Sequence, residues 1–298
     1  MAGKILVTGA TGNVSSGLIV ELTAKGASVR ALVRDATKTQ GLRDQCVEVV
    51  IGDFDKAETL DAAFSGVDKV FLLTAPNPAQ VTQARNGIAA AKRAGVPHIV
   101  RMSAGAFKIA PDSPPRVTRQ HAEIDAELKA SGLAYTILRP HNFMQNTLMA
   151  AQTVASDGAV YMPMKDGKVG MIDVRDIVDV AAKVLTEDGY QGKTYALTGP
   201  ASISFHDVAA GLSKALDKEV KYVDVPLEAG REAIVGMGLS EWFADAMTEY
   251  FRAFSEGLGD FTTSDVEELT GHQARSFETF ARDFAQAFSG APAGAPAS

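Results

Sequence analysis

Short aliphatic segments alternate with longer segments of helical period through the first half of the chain. Within the short segments, apolar and polar residues do not alternate, which is typical of strands in a parallel sheet buried on both faces. Parallel strands need crossover connections, so the predicted fold class is α/β with a doubly wound sheet. The predicted strands cover residues 4–8, 28–33, 47–51, 69–74, 98–103 and 134–138.

A glycine-rich loop directly follows the first predicted strand. Gly9 permits a tight turn, Gly12 lets the backbone approach a pyrophosphate without a Cβ, and the next helix offers its free amides to phosphates. This placement favours a Rossmann-type dinucleotide site over an ordinary turn. Ser15 stands where a third glycine would allow close packing, and we expect it to cost some packing. The predicted cofactor contacts of the loop are Gly9, Thr11, Gly12, Asn13 and Val14.

Charged residues after the second predicted strand bear on the identity of the dinucleotide. Arg34 stands where a cofactor that lacks a 2′-phosphate usually meets an acidic residue, and a guanidinium group can bind that phosphate. Lys38 adds a second positive charge, although both residues could be ordinary surface cations. We predict NADPH as the preferred cofactor, and Asp35 keeps NADH possible.

Two further loops are predicted to lie beside the cofactor. Asp53 can accept a hydrogen bond from the adenine amino group while Phe54 covers the ring, and the alternative is a helix N-cap role for Asp53 or Asp55. Thr74, Ala75 and Pro76 end the fourth strand near the expected crevice of the sheet, beside the middle of the cofactor.

The alternation of strands and helices becomes less regular after the sixth predicted strand. Asp166-Gly167 is a hairpin signal, helices are predicted over 174–185 and 204–216, and the pattern from 227 to 288 is helical. We therefore expect three parts. A dinucleotide-binding Rossmann portion covers 1–155, with a sheet that later segments can complete. A smaller, partly helical substrate lobe covers 156–289, and a disordered tail covers 290–298.

Composition narrows the partners and the compartment. The 298 residues carry 29 Lys and Arg against 36 Asp and Glu, a net charge of −7, which argues against nucleic acid and anionic membranes as partners. The start of the chain lacks the apolar core of a signal peptide, and no apolar segment approaches the length of a membrane helix. We expect a cytoplasmic protein without a bound metal, because the five histidines do not pair at metal-ligand spacing.

Several motifs together resemble the NmrA-like branch of the atypical short-chain dehydrogenase/reductases. They are the segments 9–13, 31–34, 52–53, 131–140, 142–146 and 173–177. The resemblance implies an NAD(P)H-dependent reductase of quinones, triphenylmethane dyes or azo compounds, although the family also includes regulators that bind the dinucleotide without turning it over. Pro140, Asn142 and Phe143, after the sixth predicted strand, are further expected cofactor contacts.

The sequence departs from the wider superfamily in the helix that is expected to carry the catalytic residues. The resemblance places the Tyr of the wider superfamily at Val117 and its Lys at His121, and the upstream Ser survives as Ser103. Val117 cannot exchange a proton, which disfavours alcohol and ketone chemistry. His121 is a candidate proton donor or ribose ligand because imidazole titrates near neutral pH, with a plain surface histidine as the alternative. Ser103 is a candidate partner of the nicotinamide or of a substrate oxygen, with a strand-end cap as the alternative.

A flat, quinone-like or other aromatic acceptor needs an apolar pocket. Met-rich surfaces adapt to varied ligands, although such residues at helical spacing are more often core. The candidates are Phe143, Met144, Met149, Met162, Met164, Met237, Trp242, Phe243 and Tyr250. Three functions remain open at this point: a quinone-type reductase, a non-catalytic NAD(P)-sensing regulator, and a reductase of a C=C or C=N bond in a specialised metabolite. We expect a monomer or a homodimer.

Overall fold

A seven-stranded, entirely parallel sheet forms the centre of the protein, in the order β3-β2-β1-β4-β5-β6-β8. The structure is a computed structural model and describes residues 3–35, 37, 40–43, 47–105 and 115–290. The strands of this sheet are β1 (Lys4–Val7), β2 (Ser28–Val33), β3 (Glu48–Ile51), β4 (Lys69–Leu72), β5 (His98–Met102), β6 (Ala134–Pro140) and β8 (Lys193–Leu197). The predicted α/β fold is therefore confirmed.

Helices cover both faces of the sheet. On one face, α1 (Asn13–Ala24) packs against α7 (Val174–Thr186) over a core that includes Leu18 and Ile177. On the other, α4 (Gln80–Ala94) packs against α5 (Arg116–Ala130) over a second core that includes Ile88 and Ile124. The shorter helices α2 (Gln40–Arg43) and α3 (Asp61–Phe64) lie in the connections on either side of β3. These aliphatic cores explain why the strands read as continuous apolar runs.

A third core belongs to the segment that follows β6. It contains a small parallel sheet of β7 (Ala159–Met162) and β9 (Lys221–Asp224), packed against helices. The remaining helices are α6 (Ala151–Asp157), α8 (Phe205–Leu216), α9 (Leu227–Gly236), α10 (Glu241–Ser255), α11 (Asp265–Thr270), α12 (Phe277–Asp283) and α13 (Ala285–Phe288). In the described part of the chain, no helix is both long and apolar enough to cross a membrane.

The second half departs from the sequence prediction at the Asp166-Gly167 turn. The Asp166-Gly167 hairpin was wrong, because β7 pairs in parallel with the distant β9 and Lys165 turns the chain with a φ of 46°. Gly167 is required there for packing, since a Cβ would collide with the Phe254 carbonyl. As the sequence prediction allowed, later segments complete the sheet: α7 and β8 add to the Rossmann-type layers from within the segment assigned to the smaller lobe. Of the expected tail, residues 291–298 lie outside the described residues.

Candidate active site

The glycine-rich loop joins β1 to α1 at the carboxyl edge of the sheet. Gly9 adopts a φ of 62°, and a Cβ there would lie 3.0 Å from a Leu73 methyl carbon. Gly12 is the N-cap of α1, and its amide donates to the Gly9 carbonyl at 2.9 Å. No described side chain caps this helix terminus. The amide groups at the start of α1 are thus open to an anion, and the absence of a Cβ at Gly12 allows a phosphate to approach.

Two buried hydroxyl groups, those of Thr8 and Ser15, hold the glycine-rich loop in place. The Thr8 hydroxyl lies 3.1 Å from the Phe71 carbonyl and 3.0 Å from the Leu73 carbonyl, and it accepts from the Leu73 amide at 2.8 Å. Ser15, at the expected third-glycine position, donates to the Thr8 carbonyl at 2.8 Å. The residue expected to cost packing therefore forms a buried hydrogen bond between α1 and β1.

Arg34 is exposed directly after β2, on the same edge of the sheet. The neighbouring Asp35 carboxylate accepts from the Thr37 amide at 2.8 Å and from the Thr37 hydroxyl at 2.7 Å, so part of its accepting capacity serves the local turn. The predicted second cation, Lys38, lies outside the described residues. Arg34 and Asp35 are both exposed at this edge of the sheet.

The predicted adenine contacts also have structural partners. The Asp53 carboxylate accepts from the Asp55 amide at 3.1 Å, which forms an Asx-type turn rather than a helix cap. Phe54 is half-buried against α4, where a Cβ on Gly87 would lie 2.7 Å from its ring. The Phe54 carbonyl accepts from the Asn86 side-chain nitrogen at 2.8 Å. The loop is therefore fixed in place, with the Phe54 ring still partly exposed.

The residues after β4 and β6 occupy the same carboxyl edge. Thr74 is buried, whereas Ala75 and Pro76 are exposed. Pro140 is the last residue of β6, and the Asn142 side-chain oxygen accepts from the Asn146 side-chain nitrogen at 2.9 Å. The loops after β1, β4 and β6 all lie at the carboxyl edge of the parallel sheet, where a crevice is expected.

His121 is buried on α5, so the alternative of a plain surface histidine was wrong. Its Nδ1 lies 3.0 Å from an Arg101 guanidinium nitrogen, and guanidinium groups only donate, so Nδ1 is an acceptor. Its Nε2 lies 3.3 Å from the Gln80 side-chain nitrogen, which also donates to the Thr74 carbonyl at 3.0 Å. Burial, followed by the charges of Arg101 and Arg139, holds the pKa of His121 well below its ordinary value. The expectation that it titrates near neutral pH was therefore wrong.

Ser103 and His121 belong to a larger group, the α5 polar cluster, which consists of Arg101, Ser103, His121, Asp125 and Arg139. The Ser103 hydroxyl donates to the Asp125 carboxylate at 3.0 Å, and that carboxylate pairs with Arg101 at 3.1 Å and with Arg139 at 2.8 Å. A carboxylate only accepts, so the Ser103 hydrogen is committed and its oxygen can only accept from a ligand. Burial lowers the pKa of Arg101 to about 10, which leaves it charged at neutral pH.

Sequence reasoning missed three members of this cluster. Arg101 is 1% exposed within a strand whose five residues are all buried, and a charge inside an apolar strand requires a buried partner. Asp125 lies four residues after His121 and therefore on the same face of α5. Arg101 and Asp125 could have been found as charged residues at positions where the apolar pattern of the strand or helix predicts burial. Arg139 is recognisable only once β5 and β6 are paired.

Val117 is buried near the start of α5, where it offers no exchangeable proton. The adjacent Thr118 is also buried, and its hydroxyl lies 3.0 Å from the Tyr250 hydroxyl of α10. Burial raises the pKa of Tyr250 to about 12. The Tyr250 phenol therefore contacts the first turn of α5, one residue after Val117.

The predicted acceptor-binding residues do not converge on one wall. Met144 is buried in the third core and lines a cavity of about 410 Å³ together with Ile203 and Phe277. Met149 is 47% exposed. The other candidates lie in three different environments: Phe143 packs on the first core, Met162, Met164 and Tyr250 belong to the third, and Trp242, Phe243 and Met237 lie on α10 and just before it, with Met237 exposed.

The fold and the open glycine-rich helix terminus define a dinucleotide-binding protein of the Rossmann type. The chain belongs to the NmrA-like family, whose model matches residues 1–282, and this confirms the family predicted from the motifs. An NAD(P)H azoreductase of Xenophilus azovorans is 42% identical over 287 residues, which cover 96% of this chain and 100% of that protein.

Two solved structures are similar over nearly the whole chain. The NADPH complex of an NADPH-dependent quinone oxidoreductase from Escherichia coli is 29% identical with a TM-score of 0.85, covering 94% of this chain and 99% of that one. The NADP(H) complex of the triphenylmethane reductase from Citrobacter sp. is 28% identical with a TM-score of 0.85 and the same coverage.

Proposed function

We propose that this protein is an NAD(P)H-dependent reductase that transfers a hydride to a quinone, an azo compound or a similar conjugated acceptor. The observation that carries the proposal is the open N-terminus of α1, with Gly9 and Gly12 at the carboxyl edge of the sheet. The similarity to an azoreductase, a quinone oxidoreductase and a dye reductase supports the same class of reaction.

The residues of this chain fit a nicotinamide dinucleotide in three places. The amides that begin α1 hold the pyrophosphate, and the exposed Arg34 holds a 2′-phosphate and thereby favours NADPH over NADH. Ser103, which can only accept, suits the amide hydrogens of the nicotinamide carboxamide. When bound, the reduced nucleotide supplies the hydride, so the protein need only orient an acceptor and exclude water.

The α5 polar cluster explains why this site differs from that of an alcohol dehydrogenase. Val117 offers no proton, and the ring nitrogens of His121 face Arg101 and Gln80. Val117 and His121 therefore do not supply the positioned acid that carbonyl reduction requires. Acceptors that are already electron-poor and conjugated have less need of such an acid, which agrees with quinones, azo compounds and cationic dyes.

Compartment and assembly belong to the same proposal. We place the protein in the cytoplasm, as a monomer or a homodimer, with small aromatic molecules as its partners. The net charge of −7 supports the absence of nucleic-acid partners, because a nucleic-acid interface needs a basic surface.

Turnover separates this proposal from a regulator that only senses the cofactor. Purified, flavin-free protein is mixed with NADPH or NADH and a panel of a quinone, an azo dye and a conjugated enone, and nucleotide oxidation is followed. Saturable, acceptor-dependent oxidation with NADPH preferred is the expected result. Tight nucleotide binding without turnover of any acceptor would favour the sensor, and turnover of the enone alone would favour a C=C reductase.

A further inference from the structure

The α5 polar cluster carries more positive than negative charge. Arg101 and Arg139 both pair with the carboxylate of Asp125, at 3.1 Å and 2.8 Å. Guanidinium groups stay charged in proteins, and one carboxylate balances only one of them. Ser103 has no charge, and His121 is neutral because its pKa lies well below the ordinary value. The paired side chains therefore leave one positive charge without an anion.

Arg139 is the member of the cluster that a ligand can reach. Its side chain is 23% exposed, against 2% for Arg101 and 3% for Asp125. The Nε and Nη2 atoms of Arg139 donate to Oδ2 of Asp125 at 3.1 Å and 2.8 Å. Its Nη1 atom has no hydrogen-bond partner among the described residues. The unbalanced charge is therefore presented by a side chain that has a donor left for a ligand.

Arg139 also lies beside Ser103, the predicted partner of the nicotinamide. Both side chains donate to the same atom, Oδ2 of Asp125, with Ser103 at 3.0 Å. Ser103 follows the last residue of β5, and Arg139 is the last residue but one of the neighbouring β6. The two side chains therefore meet at the carboxyl edge of the sheet.

A series of contacts joins the cluster to the glycine-rich loop at the same edge. The Thr8 hydroxyl, next to Gly9, accepts from the amide of Leu73 at 2.8 Å. The carbonyl of the following residue, Thr74, accepts from the Gln80 side chain at 3.0 Å. The same Gln80 nitrogen lies 3.3 Å from the imidazole of His121. The cluster thus adjoins the loops after β1 and β4, where a sheet of this topology binds its ligands.

We propose that Arg139 is a catalytic residue that stabilises the negative charge formed on a neutral acceptor by hydride transfer; this rests on the proposed reductase function. The acceptor gains one hydride, and with it two electrons, from the reduced nicotinamide, as the C–H bond of the nucleotide breaks and a new bond to hydrogen forms. Its oxygen or nitrogen becomes an anion, to which Arg139 donates from Nη1. A proton from solvent then neutralises the anion. The same positive charge favours anionic acceptors over cationic ones.

Acceptors of different charge provide the test, in wild type and in Arg139→Gln. The change leaves Arg101 and Asp125 as a balanced pair. With a neutral quinone, kcat should fall about 10–100-fold while KM changes less than about 2-fold, because the lost contact forms only as charge develops. With a sulfonated azo dye, KM should also rise about 3–10-fold. With a cationic triphenylmethane dye, KM should fall by a similar factor without loss of kcat/KM, because the repulsion is removed.

Two companion variants separate charge from structure. Arg139→Lys keeps the positive charge and should retain most of the quinone activity and the wild-type order of KM values. Arg85→Gln removes an exposed arginine that donates to Glu127 of the same helix, at 3.1 Å, and should behave as wild type. The NADPH Kd and the unfolding midpoint are measured for each variant, and the NADPH Kd should stay unchanged in Arg139→Gln.

Salt provides a second measurement that needs no variant. The whole chain carries a net charge of −7, so non-specific attraction would favour the cationic dye. A local positive charge predicts the opposite order: added salt should raise the KM of the sulfonated dye and lower that of the cationic dye.

Equal losses of kcat/KM with all three acceptors, no loss of kcat with the quinone, or the reverse salt dependence would overturn the assignment of Arg139 and leave the reductase function intact. A wild-type protein that reduces none of the three acceptors would overturn the reductase function and, with it, the role of Arg139.

Discussion

The Ser103 hydroxyl donates to the Asp125 carboxylate at 3.0 Å, and the same carboxylate pairs with the guanidinium groups of Arg101 and Arg139. Ser103, at the end of β5, can therefore only accept a further hydrogen bond, and the positive charge of the buried Arg101 is balanced by a carboxylate. The pairing joins β5, β6 and α5 at the carboxyl edge of the sheet. Asp125 is consequently the residue on which the charge balance of this edge depends.

Asp125→Asn should destabilise the protein strongly. The change keeps the size of the side chain but leaves Arg101, whose side chain is 2% exposed, without its anion. Removing one partner of a buried ion pair costs about 3–5 kcal/mol, measurable as a fall in the free energy of unfolding in urea. Asp61→Asn, in an exposed pair with Arg93, is the control and should cost less than about 1 kcal/mol. Equal costs would show that the buried pairing contributes nothing specific.

Gly9→Ala should weaken nucleotide binding as well as folding. The φ of 62° costs an alanine about 1–2 kcal/mol, and the added Cβ would also press on Leu73 at 3.0 Å. Gly26 is a matched control, with a φ of 74° and open space around a Cβ. Both variants should lose stability, but only Gly9→Ala should raise the NADPH Kd, by about 10-fold or more. Equal nucleotide affinity in the two variants would argue against the loop as the phosphate site.

Arg34→Ala should change the choice of cofactor. Loss of a charge-assisted phosphate contact is expected to raise the NADPH Kd about 10–100-fold and leave the NADH Kd nearly unchanged. Fluorescence titration of both reduced nucleotides measures the two constants directly. Arg93→Ala removes another exposed arginine and should alter neither. A parallel loss of NADH affinity would mean that Arg34 binds something other than the 2′-phosphate.

Stability should fall as the pH drops from about 6.5 towards 4. Burial lowers the pKa values of His98 and His141 to about 4 and holds that of His121 well below its ordinary value. Unfolded histidines have pKa values near 6.5, so below that pH the unfolded chain binds protons that the folded chain rejects. Three such groups give a slope of about 4 kcal/mol per pH unit.

Denaturation in urea at several pH values measures this slope. His98→Gln should reduce it by about one third, because one of three contributing groups is removed. The exposed His206→Gln is the control and should leave the slope unchanged. A flat profile between pH 6 and 5 in the wild-type protein would contradict the neutral state of the buried histidines.

Local patterns predicted the parts of the fold that depend on neighbouring residues. The six predicted strands are all present, and the glycine-rich loop lies between β1 and α1. The hairpin at Asp166-Gly167 failed because its strand, β7, pairs in parallel with β9 instead, a partner more than 50 residues away that no local pattern specifies. The seventh strand, β8, likewise joins the sheet through a pairing with β6 that only the tertiary fold determines.

In the candidate site, too, local requirements could be predicted from the sequence and tertiary contacts could not. Gly9 and Gly12 could be predicted because their conformations are required locally. The state of His121 could not, because it depends on Arg101, which lies 20 positions earlier in the chain and contacts the imidazole at 3.0 Å only in the folded protein. Tyr250 could be named only as one of several apolar candidates, since its partner Thr118 lies 132 positions away in the chain.

The fate of deuterium tests direct hydride transfer from the nucleotide to the acceptor. NADPH labelled with deuterium on either face of nicotinamide C4 is incubated with the protein and a cationic triphenylmethane dye, and the colourless product is analysed by mass spectrometry. We expect deuterium on the central carbon of the product from one labelled face and none from the other. Reduced dye without deuterium from either face would contradict direct transfer.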